Sequence, residues 1–386
     1  MINEADLEEW CDEQLPELYD VGMFDNEDTH DDVWEAFNQL ADETYLEFIE
    51  DEEEQEEMRN ALLEAAEEWF KGHHAAMIDT MEPPLFSVIS ELLNKPQVAQ
   101  HTADWYAQRR NRLTASEFSQ ILDGRRGALL RSKLDTSSGD RPSQAPVALA
   151  QEDGEMVATS WGHRFEPIVR RIYELEIAGL DTVCDTMGRL THKTVPWLSA
   201  SPDGLVTKGP LAGRLVEIKA PKTRQPGKFV PHEYYVQMQV QMEVCDLDAV
   251  DFIEAQFKQR PGGVETDQDR IDLDVAPWKG VINVYGDFDD PTTWRYVYSE
   301  PVEDLEDVEM PEEPADQKPL LESTVWWLSG WYPRTVLRSP EWWGSVGWPA
   351  AELFWAQVQS GREAATADDT ITMVDSADVG GWLGSK

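Results

Sequence analysis

Charge divides this 386-residue chain more sharply than any local motif does. Residues 1–95 hold 30 Asp and Glu against 3 Lys and Arg, residues 96–260 hold 21 of each, and residues 261–386 hold 25 against 8. Such a division predicts separate pieces, an acidic one at each end of a balanced middle. With a formal net charge of −44, the chain as a whole should repel a polyanion, so any such binding must be confined to the middle. The hydrophobic content of 41%, with 16 Trp, is enough for a real core and excludes wholesale disorder. Cys11, Cys184 and Cys245 are too few and too scattered for a disulfide framework, and no two have metal-ligand spacing. No apolar run approaches the roughly 20 residues of a membrane span. From the acidic start, Met-Ile-Asn-Glu-Ala-Asp, no signal or transit peptide is expected. The expectation is a reducing intracellular compartment, a host cell included.

Residues 1–95 read as an acidic helical extension. Trp34, Phe37, Ala41, Tyr45 and Phe48 recur at helical spacing, as do Met58, Leu62, Ala66, Trp69 and Phe70, with the acidic run 50–54 solvated between them. A further short helix spans Leu85 to Leu93 and ends near Pro96. Three readings stand: an add-on with a charged outer face, a docking surface for a basic protein, or an acidic segment occluding the path of DNA. Salt adaptation would acidify the middle too, which is neutral.

Residues 96–260 alternate helix and strand signals, so the expected class is α/β. Trp161, Phe165, Ile168, Val169, Ile172 and Tyr173 form a helical stripe. Ser199 to Gly204 is a turn, Leu215–Ala220 a strand, 232–245 a helix and Val250–Phe257 another strand. Residues 131–158 read as a polar loop. Residues 261–323 read as an acidic insertion, partly disordered. Residues 324–361 are Trp-rich and read as a core strand followed by helices, with base stacking the alternative. Residues 362–386 read as a polar tail.

Asp203 lies in a Ser-Pro-Asp-Gly turn, and Glu217-Ile218-Lys219 follows on the strand candidate. Alternation puts Glu217 and Lys219 on one face and Val216, Ile218 and Ala220 on the other. Alone, Glu217 and Lys219 could be an exposed ion pair. Together with Asp203 they form the pattern of metal-dependent nucleases written PD-(D/E)xK. Mg²⁺ or Mn²⁺ takes oxygen ligands, which Asp203, Glu217 and the Ile218 carbonyl can supply. A second ion could clamp the other oxygen of an in-line displacement. Lys219 would orient or deprotonate a water, or only offset phosphate charge.

Trp105-Tyr-Ala-Gln-Arg109, Leu113-Thr-Ala-Ser116, Trp161-Gly-His-Arg-Phe-Glu166, Ser201-Pro-Asp-Gly204, Glu217-Ile-Lys219 and Tyr234-Tyr-Val-Gln237 occur in that order. Together they resemble the lambda exonuclease family of viral recombination nucleases, over roughly 101–260, with a weaker echo at Trp331–Trp355. The resemblance implies a PD-(D/E)xK, restriction-endonuclease-like core, a central mixed sheet flanked by helices, with the closing part at 324–361. It implies that Asp203 and Glu217 bind metal, that Glu166 serves a second ion, that Lys219 is the catalytic lysine, and that Gln237 contacts the scissile phosphate or the water. It places Arg109 on a terminal 5′ phosphate, with Ser116 and Ser201 as hydroxyl donors. Thr114 could also cap a helix starting near Ser116, and Tyr234 shares a helix face with Gln237 and Gln241. The implied activity is 5′→3′ digestion of double-stranded DNA ends with two Mg²⁺ or Mn²⁺ ions, leaving 3′ overhangs for a single-strand annealing protein. An endonuclease or an RNA-degrading enzyme on the same fold is the alternative. A further one is an acidic interaction factor with a vestigial core. The family's ring leaves a homo-oligomer open. Superfamily members with iron–sulfur clusters need four cysteines, which three scattered ones exclude.

Overall fold

The apolar stripes at the start of the chain form α1 (Glu4–Gln14), α2 (Glu27–Thr44), α3 (Glu52–Thr80) and α4 (Phe86–Asn94) in the computed structural model. The structure describes residues 4–378 apart from 45, 47–48, 101, 136–150, 153–154, 262–265, 311–312 and 316. Tyr45 and Phe48 of the expected stripe therefore lie outside the described residues. Helices α1 to α3 close on a core of their own, with Trp10, Leu15, Phe37, Leu62 and Phe70 buried in it. The acidic run between the stripes is more than a solvated stretch. The Asp51 side chain accepts from the Glu53 and Glu54 N–H groups at 3.1 and 3.0 Å and caps α3. Glu52 to Glu54 then fill the first turn, where the helix dipole favours negative charge.

The middle of the chain runs α5 (Ala103–Arg109), β1 (Leu113–Thr114), α6 (Ala115–Leu122) and α7 (Arg126–Leu134). A hairpin of β2 (Gln151–Glu152) and β3 (Glu155–Met156) leads to α8 (Ala158–Tyr173). Short strands follow: β4 (Val183–Cys184), β5 (Leu190–Thr191), β6 (Leu198–Ala200) and β7 (Gly204–Val206). Next come β8 (Leu215–Lys219), α9 (His232–Cys245) and β9 (Ala249–Pro261). The chain then forms α10 (Asp267–Val275), β10 (Lys279–Asp287), β11 (Asp290–Tyr298), β12 (Leu320–Leu337), α11 (Pro340–Trp342) and α12 (Trp348–Asp378). The result is an α/β core around a seven-stranded mixed sheet in the order β11-β10-β12-β9-β8-β7-β4, plus the helical extension.

Among the described residues only β8 and β9 pair in parallel in that sheet, and α9 makes the crossover between them. The sheet separates two apolar clusters. Val216 and Ile218 of β8 pack with Phe165 and Val169 of α8 on one side. Leu215 packs with Val236 and Val240 of α9 on the other. Strand alternation therefore turns Glu217 toward α9, on the same side as Leu215.

Three expectations are corrected. Residues 261–323 were expected to be an acidic insertion, partly disordered; the described ones among them supply α10, β10 and β11, and β10 lies between β11 and β12 in the sheet. Asp, Glu and Pro dominate the composition there, but Val281, Ile282, Val284 and Tyr285 are buried. The polar loop expected at 131–158 begins inside α7, and the part at 136–150 lies outside the described residues. The tail expected from 362 continues α12 to Asp378. The Trp-rich segment is core: Trp326 and Trp327 are buried on β12, and Trp355 on α12 packs against Trp197 with ring centroids 5.1 Å apart.

Candidate active site

The Ser-Pro-Asp-Gly turn hands the chain from β6 to β7 and sets Asp203 beside β8. The Asp203 N–H donates to the Val216 carbonyl at 3.1 Å. Its carboxylate Oδ2 accepts from the Ile218 N–H at 2.8 Å, which pins the side chain to the strand carrying Glu217. Glu217 is 1% exposed, and its carboxylate is the hub of the site. Oε1 accepts from Lys219 Nζ and from Gln237 Nε2, the latter at 2.7 Å. Oε2 accepts from Gln241 Nε2 at 2.6 Å. Lys219 Nζ also lies 4.8 Å from the centroid of the Tyr234 ring. Tyr234, Gln237 and Gln241 thus reach β8 from one stripe of α9. Gln239 turns away and ties α9 to the end of β12 through the Leu337 carbonyl and the Ser339 N–H.

Charge crowds at this point. Burial and then the nearby Glu217 and Glu166 carboxylates push the Asp203 pKa well above its usual range. Glu166 sits one helical turn before Arg170 on α8 and accepts from its Nη2 at 3.2 Å. Burial opposes the Lys219 charge, but Glu217 and Asp203 outweigh it and hold its pKa above the ordinary lysine value. His163, from the block that contains Glu166, is held below the usual histidine range by burial and by Lys219.

Among the described residues no three His, Cys, Asp or Glu side chains close on one point. The candidate donors are fewer and all oxygen: Asp203, Glu217 and the Ile218 carbonyl, with Glu166 contributing to the same field. This fits Mg²⁺, which binds proteins through one or two carboxylates and fills its remaining positions with water and phosphate oxygens. The mutual repulsion that raises the Asp203 pKa is the charge excess a divalent cation would remove.

A second polar group lies at the α5–α6 corner. Thr114 precedes α6, and the Glu117 side chain reaches back to it, accepting from the Thr114 N–H at 3.2 Å and Oγ1 at 2.8 Å. Glu117 also meets Arg109 Nε at 3.4 Å and Lys133 Nζ at 2.9 Å. Ser116 Oγ lies 3.3 Å from Thr114 Oγ1. Ser201 Oγ accepts from the Trp105 indole N–H at 3.2 Å, and the Arg109 guanidinium lies over that Trp105 ring. Ser201, remote in sequence, therefore joins Arg109, Thr114 and Ser116 at one corner two residues from Asp203. Burial works against the Glu117 charge, but Lys133 and Arg109 outweigh it and lower its pKa below the ordinary glutamate value of 4.5. Its folded pKa is depressed, so its contribution to stability is present above 4.5 and is lost as pH falls through the folded value. The expected result is that Glu117→Gln loses stability at neutral pH and shows a shallower acid limb below that value. Melting temperature against pH checks it.

The comparisons with known proteins join here, since the converging residues run from Trp105 to Gln241. Residues 104–248 match the family of the YqaJ-like viral recombinase domain. The lambda exonuclease-like resemblance read from the sequence agrees with this match. Every site residue named above from Trp105 onward falls inside the matched segment. An uncharacterized protein of Acanthamoeba polyphaga mimivirus is 25% identical over 185 residues, 42% of this chain and 30% of that protein. The chain thus spans under a third of that relative's length. Among solved structures, an alkaline exonuclease from Laribacter hongkongensis is 18% identical, with 70% of this chain and all of that one covered at a TM-score of 0.40. The same enzyme in complex with dAMP gives the same values. A phage-related exonuclease from Haemophilus somnus is 12% identical, with 67% of this chain and 96% of that one covered at a TM-score of 0.36.

Sequence reasoning assigned no role to Glu117, His163 or Arg189. Thr114-x-x-Glu117 has the spacing of a capping box, so Glu117 was readable. Arg189 was not, because only the fold brings it to Trp105. Its N–H donates to the Val98 carbonyl at 2.9 Å, and a Cβ on Gly188 would lie 2.3 Å from that same carbonyl oxygen. Gly188→Ala is therefore expected to force these segments apart at a cost of about 1–3 kcal/mol, read as a lower urea midpoint.

Proposed function

We propose that the protein is a divalent-metal-dependent DNA exonuclease that hydrolyses phosphodiester bonds from a 5′-phosphorylated duplex end, 5′→3′, and leaves 3′ overhangs. The observation that carries this reading is the convergence of Asp203, Glu217, Lys219 and Gln237 from a turn, a strand and a crossover helix, with Lys219 and Gln237 both on Glu217 Oε1. Mg²⁺ or Mn²⁺, two ions in this reading, would be held by Asp203, Glu217, the Ile218 carbonyl and Glu166. When bound, the metal supplies the positive charge that offsets the carboxylates and polarises a phosphate. The chain's own residues do the positioning. The Ile218 N–H fixes the Asp203 rotamer, and Gln241 holds Glu217 from the far side. Lys219 presents an ammonium to the water and phosphate, and the Gln237 amide contacts the scissile phosphate or the attacking water. Arg109, with its fork fixed by Glu117 and Trp105, reads the terminal phosphate beside Ser116, Thr114 and Ser201. Tyr234 faces the same strand from the Lys219 side.

The partner in this reading is a DNA end, with a single-strand annealing protein taking the product, and the setting is a host cell during viral infection. The acidic extension either docks a basic protein or guards the DNA path, and a homo-oligomer is compatible with the core. No helix among the described residues is long and apolar enough to cross a membrane. The test uses Mg²⁺ and duplex DNA labelled at one 5′ end. Early release of the labelled terminal nucleotide, with a covalently closed circle and an RNA left intact, is expected. Cutting of the circle, or faster decay of the RNA, would replace this reading with an endonuclease or an RNA-degrading enzyme.

A further inference from the structure

Helix α9 carries Tyr234, Gln237 and Gln241 to β8, so the way it is held sets the geometry around Glu217. Its body packs in the core, and Gln239 ties it to the end of β12. Its entry is less secure. From Ala220 to Pro231 the chain leading from β8 to α9 forms neither helix nor strand. A cavity of about 760 Å³ separates part of this stretch from the acidic extension, lined by Phe24, Trp34 and Phe70 on one side and Phe229 and Arg334 on the other. The stretch is therefore held at points rather than packed along a face.

Most of those points belong to the extension. The turn 20–26 before α2 is tight. The Gly22 N–H donates to Asp20 Oδ1 at 2.6 Å, and the Asp25 and Asn26 N–H groups return to the Gly22 carbonyl at 3.0 and 2.8 Å. From this turn the Asp25 carbonyl accepts from the Val230 N–H at 3.1 Å, one residue before the cap of α9. Gly22 lies against Tyr235 in the first turn of α9, and a Cβ there would sit 2.7 Å from the phenol oxygen. Tyr235 is fully buried and has no room to swing away. On α2, the His30 ring meets Phe229 with centroids 5.0 Å apart, and its Nε2 lies 3.1 Å from Lys228 Nζ. The core adds Arg334 of β12, which donates to the Gly227 carbonyl at 2.8 Å and to the Lys228 carbonyl. The Asp25 carboxylate is buried, with Oδ2 unpartnered among the described residues. Burial lifts its pKa to about 7, although the Arg334 charge opposes this. An add-on with a charged outer face would leave that carboxylate in water; here the turn is seated against the core despite the desolvation it costs.

We propose that the acidic extension is part of the catalytic site, with Gly22, the Asp25 carbonyl and His30 as positioning groups that hold the 227–235 segment and thereby set α9 over Glu217. The proposal rests on the nuclease reading for the reaction, but not for the contact itself. It gives the extension a role within its own chain, apart from any partner protein or DNA path.

The test compares Gly22→Ala, Gly22→Ala/Tyr235→Phe, Tyr235→Phe and His30→Ala with wild type, all as the 386-residue chain and below their melting temperatures. The alanine methyl pushes against the phenol oxygen. Without that oxygen the nearest ring carbon stands at 3.4 Å, an ordinary contact, and Asp20 Oδ1 at 3.2 Å is the closest atom left. Gly22→Ala is expected to lower kcat by about ten-fold with KM for duplex ends within about two-fold of wild type. Tyr235→Phe alone should work like wild type, and the double variant should recover most of the loss. His30→Ala lies outside the buried cluster of the extension, so it should fold and also lower kcat. An extension that only adds stability would lower the melting temperature and leave kcat of the folded protein unchanged. Hydrogen exchange in EDTA needs no turnover. It should show the amides of 228–238 exchanging at least about ten-fold faster in Gly22→Ala and His30→Ala, with β9 protected as in wild type. Wild-type kcat and exchange in both variants overturn the proposal, as does a kcat loss that Tyr235→Phe fails to restore. If the wild type releases no nucleotide with metal present, the nuclease reading fails, and exchange alone decides whether the extension holds α9.

Discussion

Asp203→Asn is expected to stop nucleotide release, by on the order of 10³-fold or more, while leaving the protein at least as stable as wild type in EDTA. Asn keeps an oxygen for the Ile218 N–H, so the turn should stay on β8. What disappears is a carboxylate that burial, Glu217 and Glu166 make costly to ionise. The sign follows from the raised folded pKa. The penalty is absent below the unfolded value and grows as pH rises toward and through the folded one, so near neutrality the wild type carries it and the Asn variant does not. Activity and stability should therefore move in opposite directions. A site residue whose loss costs activity but not stability is strained for function. Equal melting curves with full activity, or a large drop in melting temperature, would count against the assignment.

Glu217→Ala should behave differently and lose both. Glu217 is the shared acceptor of Lys219, Gln237 and Gln241, and Gln241 is fully buried. Truncation leaves an ammonium and two amides without their acceptor, a change of about 3–5 kcal/mol by analogy with breaking one side of a buried pair. For a chain of this size that is a fall of about 4–6 °C in melting temperature. Glu217→Gln keeps the shape and one oxygen, so it should lose activity with a smaller thermal loss. Scanning calorimetry of the two variants beside Asp203→Asn separates the hub from the strained partner.

The core of this arrangement was legible because it follows local periods. Alternation along β8 put Glu217 and Lys219 on one face, and the spacing of Tyr234, Gln237 and Gln241 put them on one stripe of α9. Thr114 as the cap of α6 was readable for the same reason. The outer strands were not. In β10 the buried Val281, Ile282, Val284 and Tyr285 follow no alternation, β11 is only half-buried, and the acidic composition of a long window outweighed these two nine-residue runs. Arg189 was beyond reach for a different reason. Its position depends on Gly188 packing against Val98, a contact made across the fold that leaves no local spacing to read. The capped charge run at Asp51 shows the converse error, since a stretch that looked merely solvated starts a helix of 29 residues.

Calorimetric titration of Mn²⁺ into the 386-residue chain, beside Asp203→Asn and Glu217→Gln, tests the central claim most directly. Saturable binding by the wild type, lost or weakened at least ten-fold in both variants, is the predicted result. Wild-type binding that persists unchanged in both would contradict it, as would nucleotide release from DNA ends by a wild type that binds no ion.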